Sequence, residues 1–301
     1  MLPESALRQR AALIQAIRLF FISRDYIEVD TPLRLPVLIP EAYNVPVESG
    51  SHFLQTSPEI CMKRLLAESG CSRIFQICKC FRHGERGGRH LPEFMMLEWY
   101  RTHGDYLSLM AECEELIVAV ASAAGNRGSV VFRDSTINLE RPWDRLSVAE
   151  AFGRHAPVSM AQALEQKVFD EILCEYIEPQ LGRLKPVFLY DYPVEKGALA
   201  RRKKENPSMA ERFEIYLAGV ELANGFSELT DPVEQRQRFE TEQQLIRNQG
   251  GSAAGMPQKF LAALPHLPET AGIALGVDRL VMILFDADSI DQAVSFTPED
   301  L

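Results

Sequence analysis

The segment FRHGERGGRHLPEF carries four cationic side chains close together, Arg82, Arg86, Arg89 and His90. Guanidinium groups bind phosphate oxygens through paired hydrogen bonds, so this density of cations suits a polyphosphate better than a folded core. The alternative is a solvated hairpin tip above a half-buried sheet.

The segment RFEIYLAGVELANGFSEL brings carboxylates together. If Ala218 and Gly219 form a two-residue turn, Tyr216 faces Glu221, and Glu214 lies diagonally from Glu221 on one face. Diagonal neighbours are roughly 7–8 Å apart, where two carboxylates repel unless a cation lies between them. Mg²⁺, bound by a carboxylate or two and by substrate phosphates, fits this arrangement. A register change of one residue would separate the pair, and exposed glutamates on a sheet are common.

The strand FMMLEWYR has two chemically different faces. Alternation places Phe94, Met96, Glu98 and Tyr100 on one face, and Met95, Leu97 and Trp99 on the other. An aromatic ring, a carboxylate and a phenol therefore line one surface. Further along the chain, Asn224 and Glu228 follow the hairpin, and a carboxylate there could hold a substrate ammonium group.

The segment AGIALGVDR combines a bare strand face with a cation. Gly272, Ala274 and Gly276 share one face, which carries nothing larger than a methyl group. Such a face favours a flat ligand or the close approach of another backbone. Arg279, just past the strand, would meet the charged end of that ligand. The alternative is a tightly packed helix–strand crossing.

Helices and strands that would position these residues alternate along one continuous chain. No internal repeat, low-complexity linker or domain boundary interrupts it, so residues 1–301 are expected to form a single domain. The patterns predict helices at 5–23, after TSPE, at 106–124, across most of 147–182 and at 232–248, and strands at RIFQICKCFR, FMMLEWYR, PVFLYDYP, the 212–229 hairpin and AGIALG.

The composition disfavours some classes of binding partner. The formal net charge of -10 disfavours a nucleic-acid partner, because such binding usually needs excess Lys and Arg. No apolar run approaches about 18 residues, so no membrane span is expected. The six cysteines lack C-x-x-C spacing and no signal peptide is evident, which favours free thiols in the cytoplasm.

Three motifs, in chain order, resemble the signature motifs of class II aminoacyl-tRNA synthetases. Pro32 resembles the motif 1 proline, which in the family belongs to a dimer interface. Arg82 resembles the motif 2 arginine, and Gly272 to Arg279 resemble motif 3. The resemblance implies an α+β fold with a mainly antiparallel sheet flanked by helices, and a homodimer.

Within the class, RHLPEFMMLEWY and GVELANGFSEL resemble the lysyl branch. The resemblance implies that Arg82 and Arg279 are catalytic, that Phe94 stacks on adenine, and that Glu214 and Glu221 bind Mg²⁺. The ATP-binding residues that it implies are Arg82, Glu85, Arg89, His90, Phe94, Glu221, Gly276 and Arg279.

The same resemblance implies a pocket for a lysine-like amino acid, with Glu59 near the backbone amine and Glu228 at the far amine. Carboxylates in that pocket suit a dicationic substrate. Its implied residues are Ser57, Glu59, Arg82, Glu98, Tyr100, Asn224, Glu228 and Ala274. One position departs from the family: motif 2 usually reads Phe-Arg-x-Glu, whereas here Gly84 is followed by Glu85. Either Glu85 supplies the adenine contact or that contact is weaker.

The acceptor is the remaining question. Lysyl-tRNA synthetases carry an anticodon-binding barrel before motif 1, and no room for one is evident here. The arrangement resembles the free-standing paralogues that attach (R)-β-lysine to a lysine side chain of elongation factor P, and Ser57 and Ala274 resemble them too. The expected reaction forms an aminoacyl-adenylate and then an amide. Alternatives are a minimal lysyl-tRNA ligase, a non-catalytic paralogue and an amide-forming amino-acid ligase. The basic run 201–204 would dock an acidic partner or form a solvated loop.

Overall fold

A computed structural model describes residues 2–251 and 255–301 of the chain. The strands are β1 (Ile27–Glu28), β2 (Arg34–Leu35), β3 (Glu48–Ser49), β4 (His52–Leu54), β5 (Arg73–Phe81), β6 (Glu93–Thr102), β7 (Ser129–Phe132), β8 (Ser135–Asn138), β9 (Asp144–Ser147), β10 (Val187–Pro193), β11 (Met209–Leu217), β12 (Val220–Ser227) and β13 (Thr270–Gly276). The helices are α1 (Glu4–Ile22), α2 (Glu59–Ser69), α3 (Tyr106–Ala123), α4 (Val148–His155), α5 (Met160–Glu165), α6 (Phe169–Ile172), α7 (Pro232–Asn248), α8 (Gln258–Ala263) and α9 (Val277–Leu284).

An eight-stranded sheet forms the centre of the molecule, in the order β1-β5-β6-β13-β12-β11-β10-β9. The six inner strands pair antiparallel, whereas the two edge strands, β1 and β9, pair parallel with their neighbours. The predicted α+β fold with a mainly antiparallel sheet and flanking helices is therefore confirmed. None of the helices described is both long and apolar enough to cross a bilayer.

One face of the sheet is covered by α1, α3 and α9 and forms the largest core. Leu97 and Trp99 of β6 point into it, together with Ile273 and Leu275 of β13. The side-chain alternation predicted for β6 and β13 is confirmed, because Glu98 and Ala274 line a cavity on the opposite face.

Two smaller apolar clusters cover the ends of the opposite face. In one, Ile74, Tyr100 and Phe226 pack with residues of α2 and α8. In the other, Leu189 and Tyr216 pack with residues of α4, α5 and α6. The cavity lies between these clusters, where the face is not filled by helix side chains.

Helix α1 forms within a residue of its predicted limits. Its second half buries Leu13, Ile17 and Phe21, because these residues meet the aromatic core around Phe75 and Trp99. Leu7 and Ala11, in its first half, are exposed.

The β11–β12 hairpin contains an irregularity that the sequence did not indicate. Ala218 and Gly219 form the predicted two-residue turn, with φ of 56° and 70°, and Tyr216 faces Glu221 as predicted. Ile215 then pairs with Ala223, so Leu222 is an extra residue and the strand bulges there. Strict alternation would place residues 221 and 224 on opposite faces, but the bulge brings both side chains to the cavity.

Two short sheets were also missing from the sequence prediction. One pairs β2, β4 and β3, and the other is the β7–β8 hairpin. Strands of two to four residues are too short for an alternating pattern to stand out from neighbouring loops.

The packing of β12 yields a test of the fold. A Cβ on Gly225 would lie 2.7 Å from Cζ of Phe213 and 3.0 Å from Cβ of Ile273. We expect Gly225→Ala to destabilise the protein by about 1–3 kcal/mol, as overpacking in a filled core does. Urea unfolding monitored by circular dichroism measures the change.

Gly153→Ala is the matched control, because nothing lies within 4 Å of its added Cβ and the residue is inside α4. This substitution should raise the free energy of unfolding by roughly 0.5–1 kcal/mol, since alanine is a better helix former than glycine. Equal effects of the two substitutions would contradict the packing described.

Candidate active site

A cavity of about 330 Å³ opens on the face of β6, β13, β12 and β11. It is lined by every predicted site residue except Glu228. From the ATP set these are Arg82, Glu85, Arg89, His90, Phe94, Glu221, Gly276 and Arg279, and from the metal and amino-acid sets they are Ser57, Glu59, Glu98, Tyr100, Glu214, Asn224 and Ala274.

Arg279 joins several of the predicted phosphate-binding residues. Its Nη2 lies 2.7 Å from Nε2 of His90, its Nη1 donates to the Glu221 carbonyl at 2.9 Å, and its Nε donates to the Arg89 carbonyl at 3.2 Å. Burial, and then the positive charge of Arg279, lower the pKa of His90. A neutral imidazole nitrogen can accept a hydrogen bond from a guanidinium N–H, so the short contact is a hydrogen bond rather than a repulsion.

The neighbouring Asp278 fixes the helix that carries Arg279. Its carboxylate accepts from the Met95 backbone N–H at 2.7 Å and from Arg10 Nη2 at 2.7 Å, and it is almost fully buried. This ion pair ties α9 to β6 and to α1. The guanidinium of Arg279 therefore projects into the cavity from a rigid helix start.

The loop after β5 divides its cations between two tasks. Arg86 does not line the cavity, because it pairs with Asp291 at 2.9 Å and with Glu299 at 2.8 Å. The loop therefore offers fewer cations to a polyphosphate than the sequence suggested. Glu85 does line the cavity, 3.6 Å from Arg82, and Gly84 before it adopts a left-handed conformation with φ of 74°.

Phe94 and Arg82 form one wall together. The guanidinium carbon of Arg82 lies 5.1 Å from the centre of the Phe94 ring, within the range of a cation–π interaction. Arg82 Nε is buried without a hydrogen-bond partner among the described residues. An unsatisfied buried donor favours a ligand acceptor at this position.

The two predicted metal ligands have different surroundings. Glu214 is buried and accepts hydrogen bonds from Tyr192 at 2.6 Å, Tyr216 at 2.7 Å and Arg212 at 2.6 Å. Glu221 is more exposed and has a weak ion pair with Arg279 at 3.3 Å. The hydroxyls and the guanidinium hold Glu214 in one orientation on the cavity wall.

Glu178 is a third carboxylate near Glu214, although it does not line this cavity, and it was not predicted from the sequence. It accepts from Tyr216 at 3.2 Å, and burial together with the charges of Glu214 and Glu221 raises its pKa to about 7. Repulsion among carboxylates is relieved by a cation, so the predicted pair Glu214 and Glu221 fits Mg²⁺. No group of three acidic, histidine or cysteine residues in the described ranges is arranged to hold a metal alone, and phosphate oxygens would complete the coordination.

At the opposite end, Tyr100 and Glu98 form a buried pair. The Tyr100 hydroxyl donates to Glu98 at 2.6 Å, and burial raises the pKa of Glu98 well above its ordinary value. A side chain of the protein covers part of the bare strand face beside them. A Cβ on Gly272 would lie 2.2 Å from the Tyr100 ring, so at this glycine the flat group is a tyrosine. Ala274 and Gly276 of that face are less buried than Gly272 and leave room for a ligand.

Glu228 lies beneath the cavity wall and not on it. It is buried, and its carboxylate contacts the ammonium group of Lys63, which also lies 2.5 Å from Glu59. Burial raises the pKa of Glu228 to about 8, although Lys63 acts against that shift. Lys63 is thus an internal counter-ion for two of the carboxylates expected to face the substrate. The role of Lys63 is not evident from the sequence, because i, i+4 Glu–Lys pairs are common on exposed helices.

Glu41 and Asn44 also line the cavity and were not predicted. Asn44 Nδ2 donates to Glu41 at 2.9 Å, and within the described ranges no cation lies within ion-pair distance of the Glu41 carboxylate. Burial raises the pKa of Glu41. The backbone N–H of Ala42 donates to Glu242 of α7 at 2.9 Å and so fixes this segment.

The basic run 201–204 is largely neutralised within the chain. Arg201 pairs with Glu211, Arg202 with Glu234 and Lys203 with Asp191, at 2.5–2.8 Å. These ion pairs favour a structural role for the run over the docking of an acidic partner.

Comparison with known families gives one match over almost the entire chain. The model of the class II tRNA synthetases (D, K and N) matches residues 3–300. Its extent agrees with the single continuous sheet that carries the site.

Individual relatives are similar over nearly their full length. The elongation factor P–(R)-β-lysine ligase of Pectobacterium carotovorum is 38% identical, covering 97% of this chain and 95% of the relative. Ligases of the same name from Edwardsiella ictaluri and Salmonella gallinarum are 36% and 37% identical, with 98% and 97% of this chain covered and 95% and 94% of the relatives.

The buried lysine gives a test of the site's electrostatics. Lys63→Met would leave Glu59 and Glu228 withdrawn from water without their cation, so we expect a loss of about 3–5 kcal/mol of unfolding free energy. Chemical denaturation at neutral pH measures it. Adding Glu228→Gln to this variant should restore part of the loss.

Lys79→Met removes a lysine from an exposed pair with Glu93, at 3.0 Å, and serves as the control. This substitution should lower the free energy of unfolding by about 0–1 kcal/mol. Similar losses for the two lysines would show that Lys63 is not a buried counter-ion.

Proposed function

The chain belongs to the class II tRNA synthetases of the D, K and N type, and we propose that it activates a lysine-like amino acid with ATP and transfers it to elongation factor P. The supporting observation is its near full-length similarity to ligases named for that reaction. The cavity fits the proposal, because Arg279 and the two predicted metal ligands lie at one end, whereas the other end carries Glu59 and Glu98 without, among the described residues, a guanidinium group of its own.

In the first step, a carboxylate oxygen of the amino acid attacks the α-phosphorus of ATP, and diphosphate leaves. Arg82 would neutralise the carboxylate and the α-phosphate, while Arg279 and His90, which contact each other in the cavity, would bind the departing phosphates. Phe94 offers a ring for adenine. A magnesium ion held by Glu214 and Glu221 would offset phosphate charge when bound.

In the second step, a lysine amine of elongation factor P attacks the carbonyl carbon of the adenylate. An amide forms, AMP leaves with the bonding electrons, and the amine loses a proton. The substrate amine is itself the nucleophile, so none of the chain's cysteines has to form a covalent intermediate.

(R)-β-lysine is the proposed amino acid, because the relatives carry it in their names. A minimal lysyl-tRNA ligase is the competing function, and the net charge of -10 counts against it. We further propose a homodimer through the motif 1 region, where Leu19, Ile22, Ile27 and Leu33 are exposed apolar residues. The free thiols support a cytoplasmic location.

Glu41 is proposed to bind the backbone-side amine of the amino acid together with Glu59. Lys63 already partly neutralises Glu59, whereas Glu41 has one amide hydrogen bond and, among the described residues, no cation within ion-pair distance. A carboxylate withdrawn from water without a counter-charge is unfavourable until a cation arrives. The ammonium group of the substrate would supply that cation beside Arg82, where the substrate carboxylate binds.

The function is tested by incubating the protein with Mg-ATP, elongation factor P and (R)-β-lysine, (S)-β-lysine or α-lysine. Mass spectrometry should show one added lysyl group on elongation factor P, with (R)-β-lysine the best donor. A parallel reaction with lysine tRNA should give little charging. No added mass together with efficient tRNA charging would favour the competing function.

Glu41→Gln tests the amine contact. We expect the KM for the amino acid in diphosphate exchange to rise about tenfold, since a charge-assisted hydrogen bond contributes roughly 1.5–3 kcal/mol. The KM for ATP should stay within about twofold by the same reasoning.

Glu242→Gln is the control, because it removes a carboxylate from the same region while an amide oxygen can still accept from Ala42. It should leave both KM values near those of the parent protein. An unchanged amino-acid KM in Glu41→Gln would exclude Glu41 from the amine site.

A further inference from the structure

A second cavity, of about 240 Å³, lies beside the hairpin turn of β11 and β12. Gly219 of that turn forms part of its wall. Arg89 lines both cavities, so the second one adjoins the phosphate end of the first. Its charged lining residues are Arg89, Arg133, Arg183 and Glu178.

The three guanidinium groups have no carboxylate partner within the part of the chain that the structure describes. They donate to backbone carbonyls only: Arg89 to Gly219 at 2.8 Å, Arg133 to Asp288 at 2.7 Å and Arg183 to Pro179 at 2.5 Å. Arg86, in contrast, is paired with two carboxylates. Each of the three keeps further N–H donors for a ligand.

The backbone holds these cations near one another despite their repulsion. Arg133 begins the β7–β8 turn with φ of 48°, and its N–H donates to Asp286 at 2.8 Å. Burial, then the charges of Arg133 and Arg279, lower the pKa of Arg89. Three cations held close together with a single carboxylate among them favour an anionic ligand.

We propose that this cavity is a second anion site, which takes the diphosphate that leaves the active site. The inference rests on the proposed function for the origin of the diphosphate. Three guanidinium groups and one carboxylate give the lining a net positive charge, which suits a small polyanion. Arg89 would contact the phosphates in both positions, so diphosphate could move outward without losing its contact with that cation.

The double variant Arg133→Gln/Arg183→Gln tests the site while leaving the first cavity intact. We expect the inhibition constant of diphosphate in adenylate formation to rise about tenfold, since charge-assisted hydrogen bonds to phosphate are lost. The KM values for ATP and the amino acid should change little. An unchanged inhibition constant would overturn the proposal.

Two further variants separate a built site from a long-range field. Arg127→Gln/Arg154→Gln removes the same charge from exposed residues that line neither cavity, and it should leave the inhibition constant unchanged. Arg133→Lys/Arg183→Lys keeps the charge but loses the bidentate geometry, so it should restore only part of the affinity. Full restoration by lysine would overturn the built site in favour of the field alone.

Calorimetric titration of the parent protein and of Arg133→Gln/Arg183→Gln with diphosphate alone completes the test. It needs no amino acid or acceptor, so it reports on the cavity even if the protein fails to modify elongation factor P. Inorganic phosphate and ATP serve as separate titrants. If the double substitution weakened the binding of ATP more than the binding of diphosphate, the ligand of this cavity would be a nucleotide and the assignment would be overturned.

Discussion

The arrangement depends on one constraint: successive side chains of a strand point to opposite faces of the sheet. In β6 and β13 this places Trp99 and Ile273 in the core while Glu98 and Ala274 face the cavity. Burying the first face under three helices therefore also orients the residues of the second. Apolar packing on the face opposite the cavity therefore holds the site residues in position.

The site also needs one departure from that constraint. Glu221 and Asn224 are three residues apart, and regular alternation would bury one of them. The extra residue Leu222 corrects the phase, so that both polar side chains face the cavity. Bulges next to functional sites re-aim side chains in this way. Deleting one residue here would turn one of these polar side chains to the opposite face, although the strands could still pair.

The sequence predicted the longer elements, and all but one of the predicted site residues line the cavity, because long alternating strands, clustered cations and family motifs leave local patterns. It did not reveal Lys63, Glu41 or Glu178, whose roles depend on which distant segments they meet. Lys63 resembles an ordinary helix pair until α2 packs against the end of β12, where Glu228 lies. The placement of Glu228 under the wall was hidden for the same reason.

The buried charges explain how the pocket stays folded before a dication binds. Burial raises the pKa of Glu98 and of Glu228, and the nearby charge of Glu59 raises both further. Lys63 contacts Glu59 and Glu228 and offsets part of the cost of burying them, and the Tyr100 hydroxyl donates to Glu98. The carboxylates without an internal cation are therefore the ones from which a substrate ammonium gains most. Lys63 mainly stabilises Glu228 and Glu59, whereas Glu41 has no ion-pair partner among the described residues, so the empty pocket can be stable and still attract a cationic substrate.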